Sequence, residues 1–400
     1  MGSLAWRFDE RELNYVREVL DSGFVCGTAG NMNGRLESKF AERMGLKYAV
    51  TFNSGTTTLH AALWALGVGY GDEVIVTPLT VVSCMNSILY CNAVPVFADI
   101  DPDTFLIDPE DIRRKITPRT KAIMAVHLYG EVCDMEPIMK IAREHNLGVV
   151  EDCAQCFLGT YKGQIGGTIG DIASWSFENS KHLTTGDGGI LACNEEKLAD
   201  TVRKLNSQGF RNATAVSGRI RAAKEIFQNP RYKRHSHYGF MYRLPEVAAA
   251  VGLAQLEKLD WFVGLREKSA QYYGNAIAGC KWMCPQKTPD GDRNSYFTYA
   301  VKMTNQYLDW MDIRNKYVEY GGNGAYAAWA LCYQEDSIDD IKKRHLGPIG
   351  LADSFNTESG ICPIAEKIQP QLMQFTTNQK NEEEMKIEAD ALHKTLQYFS

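Results

Sequence analysis

The segment Ser176-Phe177-Glu178-Asn179-Ser180-Lys181-His182-Leu183-Thr184-Thr185-Gly186-Asp187-Gly188-Gly189 contains the lysine around which the predicted fold is arranged. Lys181 lies in a polar, hydroxyl-rich turn between two apolar runs, residues 172–175 and 190–192. The glycines that follow it permit a sharp turn and a close approach of the backbone to a ligand. A lysine whose amine can lose its proton is a usual covalent handle for a carbonyl cofactor. Taken alone, however, the segment also fits a solvated loop.

Length and composition restrict the class of protein. The chain has 400 residues, 44% of them apolar, with 43 basic against 49 acidic side chains. This length favours two or three domains. Since there is no long basic stripe, we expect small-molecule partners and no nucleic acid. No apolar run reaches the 18 residues of a membrane span, and the first residues lack the features of a signal peptide, so a cytoplasmic location is expected.

The eleven cysteines are scattered and odd in number. Cys153 and Cys156 have the spacing of a redox motif, but no helix-cap context supports that role. No second cysteine pair or histidine cluster suggests zinc. We therefore expect reduced thiols and no metal site.

Buried-type strands alternate with helical segments through the first half of the chain. Such alternation predicts an α/β layer with a mostly parallel sheet, here of seven strands. The helical segments between the strands include residues 57–66 and 135–145. The predicted strands are Tyr48–Phe52, Glu73–Thr77, Val94–Ala98, Lys121–Val126, Gly148–Glu151, Ile172–Phe177 and Gly189–Cys193.

The pattern changes in the second half of the chain. The alternation stops near residue 195, and a long polar stretch follows over residues 211–237. From about residue 265 the strands are isolated, as at 295–303, and a charged helix over about 381–399 ends the chain. We therefore predict a large domain over residues 1–262 and a smaller C-terminal α+β domain over residues 263–400.

Three motifs follow predicted strands, at the sheet edge where open α/β sheets bind ligands. The first, residues 53–58, leads from Ser54 into a helix, whose free N–H groups can bind a phosphate or need only an N-cap. The second, residues 151–155, holds Asp152, which can equally cap a following helix. The third is the Lys181 turn. A lysine, a carboxylate and a phosphate seat are together the groups that hold pyridoxal phosphate.

The chain resembles the fold-type-I pyridoxal-phosphate sugar aminotransferases of the DegT or StrS family, from about Gly27 to the final helix. Each matching motif is weak alone, but they occur in the family order. The motifs lie at residues 54–56, 71–78, 95–101, 126–130, 151–155, 176–189 and 242–244.

The resemblance implies a role for each motif residue. Lys181 would form the Schiff base with the cofactor and carry a proton between the cofactor and the substrate carbon. Asp152 would pair with the pyridinium nitrogen, and Gln155 would lie beside the ring hydroxyl. The remaining cofactor-binding positions, around the phosphate, are Ser54, Gly55, Thr56 and Ser176.

The implied activity is the transfer of an amino group from an amino acid, typically glutamate, to a nucleotide-linked keto-deoxy sugar. A homodimer with active sites at the subunit interface is implied as well. Three other activities remain open: transamination of a cyclitol or keto acid, sugar dehydration with the amine form of the cofactor, and a cofactor-binding regulator. The dehydratases carry histidine in place of the lysine, so Lys181 argues against the second.

The sequence departs from the family pattern at three places. Val81 stands where many members stack an aromatic ring on the pyridine, and Met241 replaces an asparagine that reaches the partner subunit's phosphate. The His-Tyr-Pro of the small domain is missing around residues 324–327. The first two losses predict weaker binding of the cofactor.

Two further predictions concern cations and histidines. The basic segment 219–234 is a candidate site for the substrate diphosphate, although a solvated loop would have the same composition. His60 lies in the middle of a helix and is expected to be packed, whereas His182 has no preferred direction relative to the ring. The tentative substrate-binding residues are Arg231, Lys233 and Arg234.

Overall fold

The apolar runs of the first half form the strands of the large sheet. The structure, a computed structural model, describes residues 4–348 and 356–400. Most of these strands are buried on both faces, as their near-continuous apolar sequences require. The strands up to residue 193 are β1 (Tyr48–Phe52), β2 (Glu73–Val76), β3 (Val94–Phe97), β4 (Thr120–Val126), β5 (Gly148–Asp152), β6 (Thr160–Tyr161), β7 (Gln164–Ile165), β8 (Ile172–Ser176) and β9 (Gly189–Cys193).

The seven-stranded sheet has the order β1-β9-β8-β5-β4-β2-β3, while β6 and β7 form a separate small hairpin. Strand β9 runs antiparallel to both β1 and β8, and the remaining pairs are parallel. The prediction of a mostly parallel seven-stranded sheet is therefore confirmed. Since β8 and β9 are antiparallel neighbours, the turn that joins them lies at the carboxyl edge of the parallel strands.

Helices connect the strands and cover the sheet. Side-chain caps mark several of their ends: Asp9 forms a capping box with Glu12, and Asn381 accepts a hydrogen bond from the N–H of Glu384 at 3.0 Å. The helices are Glu10–Asp21, Met32–Met44, Gly55–Ala65, Val82–Tyr90, Pro109–Lys115, Met135–His145, Glu196–Asn206, Lys224–Phe227, Glu246–Glu257, Leu259–Ala276, Trp310–Glu319, Ser337–Lys343, Pro363–Ile368 and Glu382–Tyr398.

A second, smaller sheet lies in the C-terminal part of the chain. It consists of β10 (Met283–Pro285), β11 (Thr298–Met303), β12 (Ala325–Ala327) and β13 (Leu372–Thr376), in the antiparallel order β10-β11-β13-β12. The helices Leu259–Ala276 and Glu382–Tyr398 pack against each other beside it. The predicted C-terminal α+β unit is confirmed as a fold feature.

The domain boundary after residue 262 stays a prediction. The helix Leu259–Ala276 crosses it, with Val263 in a core beside the large sheet and Tyr273 in the core of the small sheet. Residues 331–341 and 362–368 also contribute buried side chains to the core of the large sheet. Residues from both sides of the predicted boundary therefore pack in the same hydrophobic cores.

All eleven cysteines are free thiols, as expected, and Cys153 and Cys156 are both buried. Burial raises the pKa of each of these two thiols, so neither has the low pKa of a redox-active cysteine. Each helix described within residues 4–348 and 356–400 is too short or too polar to span a lipid bilayer.

A buried ion pair joins the helix Met32–Met44 to the helix Glu196–Asn206. The Arg203 guanidinium donates to both oxygens of Glu37, at 2.6 and 2.8 Å, and both side chains are buried. Glu37 also accepts from the N–H of Thr51 in β1, at 2.9 Å. The pair therefore fixes both helices to the edge of the large sheet.

Removing one partner of this pair leaves a buried charge without compensation. We expect Glu37→Gln to lower the free energy of unfolding by about 3–5 kcal/mol. The matched control is Glu18→Gln, whose pair with Arg35 is solvent-exposed and should contribute about 0–1 kcal/mol. Chemical denaturation of both variants checks this, and equal losses would contradict the structural role of Glu37.

Candidate active site

The three predicted motifs meet in one cavity at the carboxyl edge of the large sheet. The cavity has a volume of about 410 Å³. It lies where β1, β5 and β8 end, and the β8–β9 turn brings Lys181 to the same place. The predicted cofactor-binding residues that line it are Ser54, Gly55, Thr56, Asp152, Gln155, Ser176 and Lys181.

The first motif forms the N-terminus of the helix Gly55–Ala65. Ser54 is its N-cap and accepts the N–H of Thr57 at 3.2 Å, so the suggested cap is present. The helix still directs the positive end of its dipole toward the cavity, as a phosphate requires. Gly55 is required by packing, because a Cβ there would lie 2.7 Å from the Cβ of Ser176.

Asp152 ends β5 and is buried at the cavity wall. Its Oδ1 accepts the N–H of Ala154 at 3.0 Å, and its Oδ2 accepts the thiol of Cys84 at 3.2 Å. Because residues 153–159 are turn and loop, Asp152 caps no helix, and that alternative is wrong. Burial raises the pKa of Asp152, an effect that a cation facing this carboxylate would oppose.

The neighbouring carboxylate of Glu151 has a structural role. It lies on the opposite face of β5, where it bonds the imidazole of His127 at 2.9 Å and accepts three backbone N–H groups of residues 167–170. Because side chains alternate along a strand, only one of the two acids can face the cavity. That acid is Asp152.

Lys181 and residues 182–184 are buried, so the interpretation as a solvated loop is wrong for the lysine, although Asn179, Gly186 and Asp187 of the same turn are exposed. Lys181 is 8% exposed, and its Nζ lies 4.5 Å from the ring centroid of Phe297. Burial lowers the pKa of Lys181, while Glu178 and Asp152 oppose that shift. A buried amine with a lowered pKa loses its proton more readily, which is what a nucleophilic lysine requires.

Gln155 is oriented by the loop that follows β4. Its Oε1 accepts the N–H of Tyr129 at 2.9 Å. This contact uses the carbonyl end of the amide, so its N–H groups are the end available to a ligand. Gln155 can therefore donate to an oxygen such as a ring hydroxyl.

The two histidines have packing roles. His60 lies in an aromatic cluster and contacts the Tyr242 hydroxyl through Nδ1 at 3.2 Å, as expected. His182 is buried against Phe157, and its Nε2 bonds the carbonyl oxygen of Ser295 at 2.9 Å. Burial lowers the pKa of both imidazoles. His182 does not line the cavity.

The tentative substrate-binding cations lie outside the cavity. Arg231 and Lys233 are exposed, and Arg234 donates to the carbonyl oxygen of Phe227. Met241 also lies outside, where its sulfur accepts two N–H groups of Arg243. The structure thus separates these residues from the cavity of their own chain.

Several cavity residues were not predicted as site residues from the sequence, and three of them carry chemically informative side chains. Cys84 contacts Asp152, while Phe297 and Trp329 place aromatic rings in the cavity that Val81 also lines. Cys84 lies three positions after Val81, so its position gave a weak signal. The two aromatic residues lie more than a hundred positions after Lys181, and no local pattern connects them to it.

The groups of the cavity fit pyridoxal phosphate. They supply an amine at Lys181, a carboxylate at Asp152, an amide donor at Gln155 and a helix N-terminus for the phosphate. The volume lies within the range of about 300–1,000 Å³ that is usual for small-ligand sites. The arrangement is therefore suited to chemistry at an aldehyde bound to a protonated ring.

Comparisons with known proteins agree with this geometry. Residues 7–374 match the model of the DegT/DnrJ/EryC1/StrS aminotransferase family. The GDP-perosamine synthase of Caulobacter vibrioides is 41% identical over 74% of this chain and 76% of its own length. That of Escherichia coli O157:H7 is 43% identical over 67% and 68%.

Solved structures of known proteins share the fold of this chain. The aminotransferase from Psychrobacter cryohalolentis superposes with a TM-score of 0.85 at 30% identity, covering 98% of both chains. The 3-amino-5-hydroxybenzoic acid synthase superposes with a TM-score of 0.83 at 26% identity, covering 98% of this chain and 97% of that one. The cofactor is pyridoxal 5′-phosphate, and the chain belongs to the DegT/DnrJ/EryC1/StrS aminotransferase family.

Proposed function

We propose that this enzyme transfers an amino group from an amino acid, glutamate, to a keto-deoxy sugar carried by a nucleoside diphosphate. The observation that carries the proposal is the buried amine of Lys181 in one cavity with the buried carboxylate of Asp152. The family match supports the reaction class, and the named relatives support a sugar substrate.

The residues of the chain have separable roles in this reaction. When bound, pyridoxal phosphate supplies an aldehyde that accepts the amino group and a ring that withdraws electrons. Lys181 would hold the aldehyde covalently, and its amine, once released, would move a proton to and from the substrate carbon. Asp152 would keep a proton on the ring nitrogen. The N-terminus of the helix Gly55–Ala65 would bind the phosphate.

The nucleotide is inferred from the relatives. Two proteins named GDP-perosamine synthase are 41% and 43% identical to this chain, so we infer a GDP-linked substrate. A spore coat polysaccharide biosynthesis protein of Bacillus subtilis is 37% identical over 74% of the chain, which supports a role in polysaccharide biosynthesis. A buried Lys181 disfavours the dehydratase alternative, in which histidine takes that position.

We also propose a cytoplasmic homodimer in which each active site uses residues of both chains. The segment 216–241 carries four exposed large apolar side chains beside its cations, and such a face suits a contact between subunits. The four apolar residues are Val216, Ile226, Tyr238 and Met241. In a dimer, this segment of one subunit would bring Arg231, Lys233 and Arg234 toward the cavity of its partner.

The substrate assignment can be tested with a panel of keto sugars linked to GDP, UDP or dTDP, with glutamate as donor. We expect release of 2-oxoglutarate with the GDP-linked sugar and none with Lys181→Ala. The matched control, Lys47→Ala, removes an exposed lysine and should keep full activity. Equal turnover of a cyclitol ketone, or full activity of Lys181→Ala, would contradict the proposal.

Removing the charge of Asp152 tests the electron sink. Asp152→Asn keeps the size of the side chain, but it cannot hold a proton on the ring nitrogen. We expect kcat to fall at least about a hundredfold, equivalent to ~2.7 kcal/mol, with a smaller change in KM. Glu151→Gln, on the opposite face of β5, is the control for a decrease in activity that comes only from lower folding stability. A decrease in kcat of less than tenfold in Asp152→Asn would show that another group keeps the ring nitrogen protonated.

The cations of the segment 219–234 can be tested by charge reversal. Replacing Arg231, Lys233 or Arg234 singly by Glu should raise KM for the sugar nucleotide about tenfold, since a charged hydrogen bond contributes about 1.5–3 kcal/mol. KM for glutamate should not change. Lys197→Glu, an exposed cation of another helix, is the control. Unchanged KM values at all three positions would show that the segment is a solvated loop.

A further inference from the structure

The backbone of the Lys181 turn is fixed by two arginines from distant parts of the chain. Neither is used by the mechanism above. The Arg7 guanidinium donates to the carbonyl oxygens of Asn179 at 3.1 Å, Lys181 at 2.9 Å and His182 at 2.7 Å. The Arg266 guanidinium donates to the carbonyl oxygen of Ser180 at 2.8 Å. Four consecutive carbonyl groups are thereby satisfied by two side chains.

Both guanidinium groups are buried. Arg7 is 3% and Arg266 is 5% exposed. Burial lowers the pKa of Arg7 to about 10, and burial together with the charge of Arg7 lowers the pKa of Arg266 to about 9. Across residues 4–348 and 356–400, neither forms an ion pair with a carboxylate. Burying two neighbouring cations costs free energy that the carbonyl contacts must offset.

Arg266 also fixes the ring that contacts the lysine amine. Its Nη1 donates to the carbonyl oxygen of Phe297 at 2.7 Å, and its Cζ lies 5.6 Å from the centre of that ring. The amine of Lys181 lies 4.5 Å from the same centre. The Arg266 guanidinium thus binds both the carbonyl group of Ser180, directly before Lys181, and the backbone of Phe297, whose ring contacts Nζ of Lys181.

Arg7 is held in place by residues 255–261. Its own carbonyl oxygen accepts from Lys258 Nζ at 2.7 Å and from Gln255 Nε2 at 2.9 Å. The neighbouring Trp6 packs edge-on against Trp261, with 5.6 Å between ring centres. These contacts fix the backbone at Arg7, and its Cζ lies 4.9 Å from the ring centre of Phe262, which packs against the side chain.

We propose that Arg7 and Arg266 are positioning residues that hold the Lys181 turn so that Nζ is presented to the cofactor aldehyde. The inference rests on the assignment of Lys181 as the attachment site. A turn without regular secondary structure would otherwise sample several orientations, and a displacement of the nucleophile by about 1 Å can cost a hundredfold in rate.

The test measures attachment and backbone protection without measuring turnover. Apoenzyme is mixed with pyridoxal phosphate, quenched with borohydride at set times and digested, and the labelled Lys181 peptide is quantified by mass spectrometry. Amide hydrogen exchange is followed over residues 177–185. The variants are Arg7→Lys and Arg266→Lys, which keep the charge but lose the planar set of donors. Arg203→Lys is the control for loss of a buried arginine away from the cavity.

We expect both variants to slow labelling of Lys181 at least about tenfold and to speed exchange in the turn, with Arg203→Lys at wild-type values in both measurements. Labelling within twofold of wild type, or equal slowing in Arg203→Lys, would overturn the positioning role. If wild-type enzyme is never labelled at Lys181, the attachment assignment itself, and with it the proposed function, is wrong.

Discussion

The burial of one amine and one carboxylate at the same sheet edge is the constraint on which the rest of the structure depends. Parallel strands place the end of β5, and therefore Asp152, at the carboxyl edge. The antiparallel return of β9 then brings the β8–β9 turn, with Lys181, to that edge. Neither group could be held there in a low-dielectric cavity without the compensating contacts that surround it. The fold thus determines both the position of the amine and the carboxylate and their removal from solvent.

Much of the fold follows from the sequence because its signals are local. All seven predicted strands of the large sheet exist, and the predicted final helix is present with Asn381 as its N-cap. The residues of the three motifs line one cavity because parallel strands share an edge. The choice between Glu151 and Asp152 came from the family resemblance, whereas the structure explains it by strand alternation.

The contacts that fix the lysine could not be predicted in the same way. Arg7 lies 172 or more positions from the carbonyl groups that it binds, and Arg266 lies 86 positions from Ser180. Neither arginine belongs to a motif, and because an arginine is rarely buried without an acidic partner, the sequence alone indicates a solvated position for both. The contact of Phe297 with Lys181 could not be predicted for the same reason, because the two residues are far apart in the sequence. The departures at Val81 and Met241 are visible in the sequence, but the effect of either on cofactor affinity depends on such distant contacts.

The central claim is that Lys181 both attaches the cofactor and releases it when an amino acid loads the nitrogen. The most direct measurement reduces the holoenzyme with borohydride before and after addition of glutamate, and then maps the modified peptide by mass spectrometry. The account predicts that the cofactor mass is on Lys181 before addition. After addition, it predicts that the mass is lost while about one equivalent of 2-oxoglutarate forms per site. Modification of another lysine, or a Lys181 adduct that persists with glutamate present, would contradict it.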